Sequence, residues 1–212
     1  MNVFVLSTGR CGSTTFSRAC RHITNYTSAH ESRSGLIGKA RLEYPRDHIE
    51  ADNRLSWFLG RLQTAYGDDA IYVHLMRSEI ETARSLVKRY RRRKGIIWAY
   101  RQAILLRAPA GMDPLEIALD YCHTVNSNIE AFLQDKSRKM RFTMENAAED
   151  FRAFWALVGA EGNLQAALAE WDQHYNASPE SLNAKPKKYS ASRAASKVKR
   201  IIRTLPDYLK DA

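Results

Sequence analysis

The residues that most constrain what this chain can fold into stand at its start. "NVFVLSTGRCGSTTF" (2–16) is an apolar run, Val3 to Leu6, broken at once by small and glycine-rich residues and then by a pattern able to begin a helix. A buried strand that enters a glycine-permitted turn and then a helix N-terminus gathers unpaired backbone N–H groups at one point, and such points hold phosphate-like anions. The loop is not the NTPase fingerprint G-x-x-x-x-G-K-[ST]. Gly9 and Gly12 stand too close together, and Arg10 occupies a place that no Walker lysine takes.

The rest of the chain continues the alternation that this unit begins. "HIEAD" (48–52) reads as a short strand, "AIYVHLM" (70–76) as a clear apolar one after the turn "GDD", and "MRFTM" (140–144) as another. Helical spacing covers 15–23, 55–66, about 79–94, 96–106, a long amphipathic stretch from Leu115 to Leu133, and then 151–158 and 164–175. "TSAHESRSGLIGKARLEYPR" (27–46) is polar and punctuated by glycine, and predicts a loop region of active-site size. Strands alternating with helices predict an α/β class, a P-loop-like three-layer fold with a central, mostly parallel sheet flanked by helices. The 212 residues suffice for one sizeable core. We expect an α/β domain over 1–175 and a basic C-terminal tail over 176–212, partly flexible, with a short terminal helix near Val198–Leu205.

Charge narrows the partners. The net charge is +10, from 33 Lys and Arg against 23 Asp and Glu. "KRYRRRK" (88–94) holds six basic groups, and residues 176–212 hold nine basic against three acidic ones. Such a balance suits an anionic partner (nucleic acid, membrane, polyanionic glycan or nucleotide), while a solvated helix face and tail would explain it equally well. No apolar stretch approaches the roughly 18 residues that cross a bilayer. Strand-like residues begin at position 2 with no basic leader, so no signal peptide is expected. Cys11, Cys20 and Cys122 lack metal-ligand spacing and fit reduced thiols in a cytoplasm.

The second informative stretch is "YVHLMRSEIETARSLVKRY" (72–90). Arg77 falls at the carboxyl edge of a strand, where ligands sit in open α/β sheets. Ser85, eight residues on, lies two turns into the following helix. Together they can reach one phosphate beside another cradled by Gly12, Ser13, Thr14 and Thr15.

In these two stretches the chain resembles the sulfotransferases that use 3′-phosphoadenylyl sulfate (PAPS). Their first signature is a strand, a loop of the type [Lys or Arg]-Ser-Gly-Thr-Thr and a helix, which binds the 5′-phosphosulfate; here it reads Arg10, Cys11, Gly12, Ser13, Thr14. Their second is a strand ending in Arg with a Ser eight residues on, which grips the 3′-phosphate; here that is Arg77 and Ser85. "RFTMENAAEDFRAFWALVGA" (141–160) is a weaker echo of the family's later strand, acidic residue and helix. The likeness spans roughly residues 2–175 and is nearest to the bacterial carbohydrate-type and tyrosylprotein-type branches. Cys11 replaces the usual Ser, and the Arg-Lys-Gly motif of the cytosolic branch is missing from its expected C-terminal place.

The resemblance implies a sulfotransferase that moves a sulfuryl group from PAPS to a hydroxyl acceptor, a carbohydrate or other glycoconjugate, and releases adenosine 3′,5′-bisphosphate (PAP). A sulfuryl group carries one negative charge where a terminal phosphoryl carries two, so no metal is expected. By analogy with phosphoryl transfer, the protein's tasks are positioning and charge stabilisation. Arg10 would stabilise charge on the leaving phosphate, with Thr14, Thr15 and the loop N–H groups around it. Family relatives place a Glu general base after the first helix, which makes Glu31 the first candidate here and His30 the second. Glu50, Asp52 and Asn53 form a further polar cluster, with Asn53 favoured as a cap for a helix starting at Arg54. His74 and the four Trp residues suit the core or a pocket wall. Two other classes compete. A P-loop kinase or NTPase predicts a Walker lysine and a Mg²⁺-binding Asp, and a basic nucleic-acid-binding protein predicts salt-dependent DNA or RNA binding.

Overall fold

The computed structural model describes residues 1–93, 95–106 and 111–173. The expected boundary at 175, the basic tail and its terminal helix lie outside those residues. Five strands form one sheet: β1 (Asn2–Leu6), β2 (Thr27–His30), β3 (His48–Ala51), β4 (Ala70–Met76) and β5 (Lys139–Thr143). Their order is β2-β3-β1-β4-β5, and every pairing is parallel. β1 lies at the centre with all five residues buried, as its unbroken apolar run requires of a strand covered on both faces.

Alternation along β1 assigns the two faces. Phe4 and Leu6 enter a core with Leu55, Leu62, Tyr72, Leu86 and Tyr121. Val3 and Val5 enter the opposite core with Phe16, Ile49, Phe142, Phe151 and Phe154. The first face is covered by α2 (Leu59–Tyr66), α3 (Glu79–Val87) and α5 (Pro114–Leu133), and the second by α1 (Ser13–Cys20), α6 (Ala147–Leu157) and α7 (Leu164–Ala169). The result is the three-layer α/β fold that the alternation of elements predicts. After β1 the chain crosses to β2 and β3 on one side, and after β3 it returns past β1 to β4 on the other. The carboxyl end of β1 is therefore the point of topological reversal, where such sheets open a crevice.

Three expectations are revised. The polar stretch 27–46 is not all loop, because β2 occupies Thr27–His30, paired in register with His48–Ala51. None of its residues is fully buried, so it lacks the apolar run by which a strand is recognised. The helix expected over 79–94 ends at Val87 and passes into turns, with Arg89 N–H donating to Leu86 O and Arg92 N–H to Arg89 O. Neighbouring like charges in the basic run disfavour further helix. Asp52, rather than Asn53, is the cap: it accepts from Arg54 N–H at 2.8 Å and starts a 3₁₀ turn at Asn53–Trp57. The stretch after the basic run is short α4 (Ile96–Ala99) followed by π-helical Tyr100–Ile104.

Candidate active site

The glycine loop stands at the reversal point. Gly9 (φ 77), Arg10 (φ 63) and Gly12 (φ 86) take left-handed backbone conformations. For Arg10 this is strained, and such strain collects where surroundings over-determine it. The surroundings do so here. Gly9 N–H donates to Ser7 Oγ at 3.1 Å, Ser56 Oγ donates to Ser7 O at 3.2 Å, and the buried Tyr121 hydroxyl of α5 donates to Thr8 O at 2.7 Å. A Cβ on Gly12 would lie 2.1 Å from Met144 Sδ, so any larger residue there has to push the Met144 side chain aside, and the left-handed backbone itself favours glycine. α1 then begins at Ser13 with no side chain capping its first turn. Consecutive left-handed residues followed by an uncapped helix N-terminus suit an anion.

The side chains of the loop divide sharply. Cys11 is buried, with Sγ 3.3 Å from Gly9 O and 3.4 Å from Thr8 Oγ1, and burial raises its thiol pKa. Its side chain therefore serves the loop's interior, and only its backbone is left for a ligand. Thr15 is likewise buried, whereas Ser13 and Thr14 are half-buried in the first turn of α1. Ser13 Oγ and His30 Nε2 share a hydrogen bond of 3.0 Å. His30 ends β2, so this bond ties the sheet's edge strand to the glycine loop's helix.

Arg10 and Ser85 meet. Arg10 Nε donates to Ser85 Oγ at 3.0 Å across 75 positions of sequence. Arg77 Nη2 lies 3.7 Å from Glu81 Oε2 one turn along, and it lines a cleft of about 490 Å³ with Ser78, Thr143, Glu145, His123 and Asn126. Glu145 fixes the cleft's rim by accepting from Ser78 N–H at 2.9 Å. Glu81 and Ser85 share one face of α3, and the same four-residue interval runs back to Arg77, just before the helix, and on to Arg89 in the turn after it. That face meets the loop. Burial, followed by the like charges of Arg89, Arg77 and Arg92, lowers the Arg10 guanidinium pKa. Burial and Arg92 do the same to Arg89. Two arginines of the basic run thus belong to the loop's electrostatic surroundings; the four-residue interval from Arg77 was an available signal for Arg89 but not for Arg92.

Glu31 follows β2 directly, in a left-handed conformation (φ 53), with its N–H donating to Ala51 O at 3.1 Å. Its Oε2 lies 2.6 Å from Arg54 Nη1. Behind it, β3 turns a polar stripe toward the face of α2. Glu50 is fully buried and accepts from Ser32 N–H at 2.8 Å, Ser32 Oγ at 2.5 Å and His48 at 3.0 Å. Burial pushes the Glu50 carboxyl up, but the bonds from His48 and Ser32 outweigh it and leave the pKa below its ordinary value. Asp52 pairs with Arg41 at 2.6 Å, both side chains 1% exposed or less, and burial raises its pKa despite the Arg54 N–H and Arg41. Both carboxylates are spent within the protein. Sequence pattern does not reveal Arg41 or Arg54, because neither stands in a motif. His74 is a core residue as expected, 4% exposed and bonded to Asn126 Oδ1 at 3.2 Å.

No family model and no curated protein matches the chain. Among solved structures it is similar to the sulfotransferase domain from the curacin biosynthetic pathway. The TM-score is 0.57 at 13% sequence identity, over 82% of this chain and 78% of that one. At that identity the likeness establishes the fold, and the chain has the three-layer α/β architecture of a sulfotransferase domain. Among the described residues, no helix is long and apolar enough to cross a membrane.

Proposed function

We propose that this chain is a PAPS-dependent sulfotransferase acting on a hydroxyl-bearing acceptor, in particular a carbohydrate or glycoconjugate, in a cytoplasm. The observation that carries the reading is the meeting of Arg10 with Ser85, which sets the glycine loop against the helix face that begins at Arg77. A donor with anions at its 5′ and 3′ ends needs such a pair of adjacent sites, one cradle and one set of side chains. The backbone N–H groups of residues 12–15, with Thr14, are assigned the 5′-phosphate. Arg77 and Ser85 are assigned the 3′-phosphate, and Arg89 and Arg92 add positive potential around both. When bound, PAPS supplies the sulfuryl group.

In this reading Arg10 holds negative charge as it grows on the oxygen that leaves with the nucleotide, the kind of contribution typically worth about 3–4 kcal/mol of barrier. Glu31 takes the acceptor's hydroxyl proton as that oxygen bonds to sulfur, and His30 is the second candidate for this role. The basic run favours an acceptor that is itself anionic.

The test is ligand-dependent stability. PAP at about 100 times its Kd should stabilise the fold by about 2.7 kcal/mol, or roughly 5–10 °C in Tm for a domain of this size. ADP with Mg²⁺ should do far less. Equal stabilisation by the two would refute the proposal. Arg10→Ala should cut PAP release from PAPS by roughly 10²–10³-fold with a much smaller loss of nucleotide affinity.

A further inference from the structure

Glu31 is not left to find its own orientation. Its backbone is left-handed at φ 53, and two buried carboxylates, Glu50 in β3 and Asp52 just after it, fix the residues around it. Glu50 takes both the N–H and the hydroxyl of Ser32, the next residue. Asp52 takes Arg54 N–H at 2.8 Å and is itself locked by the buried Arg41 at 2.6 Å. The Nη1 of Arg54, closed off from solvent and outside hydrogen-bond geometry, ends 2.6 Å from Glu31 Oε2, so the contact is an ion pair between two half-exposed side chains. Contacts thus run from the core to the candidate base: Arg41 pairs with Asp52, Asp52 holds the Arg54 backbone, and the Arg54 side chain pairs with Glu31.

A buried ion pair is weak evidence of stabilisation, because desolvation offsets much of the attraction. What such a chain of contacts supplies is orientation. We propose that Arg54 is a positioning residue that clamps Oε2 of Glu31 and so presents Oε1 to the acceptor hydroxyl at the carboxyl edge of the sheet. The inference rests on the reading of Glu31 as the base. Without the clamp, the carboxylate of a half-exposed side chain samples several rotamers, and misplacement of a reacting group by about 1 Å can cost on the order of 10²-fold in rate.

The experiment compares Arg54→Met, Arg54→Lys and Glu31→Gln in the full chain. Three quantities are read: kcat and KM for PAP release from PAPS, PAP affinity by calorimetry, and labelling of Glu31 by a water-soluble carbodiimide, followed by peptide mass. Arg54→Met should lower kcat by roughly 10–100-fold. KM for PAPS and PAP affinity should stay within about twofold, and Glu31 should label several-fold faster. Arg54→Lys should restore part of kcat and of the protection, since lysine keeps the charge and loses the planar fork. Unchanged kcat and unchanged labelling in Arg54→Met would overturn the inference. So would a parallel fall in kcat, PAP affinity and Tm that lysine does not rescue, which is the mark of a merely structural residue. The two readings fail separately. If Glu31→Gln keeps full kcat, Glu31 is not the base, and labelling still reports whether Arg54 holds it. If Glu31→Gln abolishes kcat while Arg54→Met does not lower it, only the positioning role is lost.

Discussion

Replacing Arg77 by alanine separates the nucleotide's two anionic ends. Within the described structure the side chain has little to lose. Its partner is Glu81 at 3.7 Å, and the two side chains are 36% and 44% exposed. An exposed pair one helical turn apart is worth about 0.3–0.5 kcal/mol, so Arg77→Ala should barely move the urea midpoint. If Arg77 binds the 3′-phosphate, the loss to the ligand is of another size. A charged hydrogen bond contributes about 1.5–3 kcal/mol, and its removal weakens PAP by roughly 10- to 150-fold. Adenosine 5′-phosphosulfate, which lacks the 3′-phosphate, should bind almost as before. Glu81 gives a control of opposite sign. Glu81→Gln frees Arg77 of its acidic neighbour and should tighten PAP by a few-fold. Calorimetry at one fixed ionic strength measures all of these, because salt screens the exposed charges involved. Equal losses for both nucleotides in Arg77→Ala would refute the assignment, as would a large loss of stability alongside the loss of affinity.

Gly12→Ala puts alanine in a left-handed conformation, about 1–2 kcal/mol, and its Cβ also displaces the half-buried Met144 side chain, whose Sδ would stand 2.1 Å away. Urea unfolding should show a loss of about 1–2 kcal/mol, and a wild-type midpoint would contradict the loop geometry. His74 supplies a pH test. Asn126 gives its amide N–H to Glu79 at 3.0 Å, so its Oδ1 faces an N–H on His74 Nε2, and burial lowers the imidazole pKa from 6.5. The unfolded chain therefore takes the proton first, so the stability due to this residue is present above pH 6.5 and is lost as pH falls toward the folded value. Unfolding midpoints between about pH 8 and pH 5 should fall less steeply for His74→Gln than for the wild type, and parallel curves would overturn the reasoning.

Much of the architecture is legible in short runs of residues, because burial on both faces writes itself into local composition. Apart from Asn2 and His74, β1 and β4 are apolar, and the alternation of strands with helices leaves few topologies open. The glycine loop is equally local: the positive φ values at Gly9 and Gly12 and the helix that follows are properties of neighbouring residues. Arg77 and Ser85 can be paired on paper because an eight-residue interval on a helix places both on one face.

Other features depend on contacts that no local pattern records. β2 is a strand because β3 offers it hydrogen bonds in register, and its half-exposed residues carry no apolar signature. Asp52 rather than Asn53 caps the turn at Arg54, since Asn53 is buried with its side chain packed against Gly9. Arg41 looks like one more surface cation in a polar stretch, yet it is 1% exposed and paired with Asp52. Arg54 reaches Glu31 across 23 positions, and Arg10 reaches Ser85 across 75. In a parallel sheet every strand pair is joined by a crossover, so residues at the carboxyl edge come together only after long loops have closed. The sequence by itself determined the elements and the loop that can hold an anion; packing of those elements decided which distant charges stand around it.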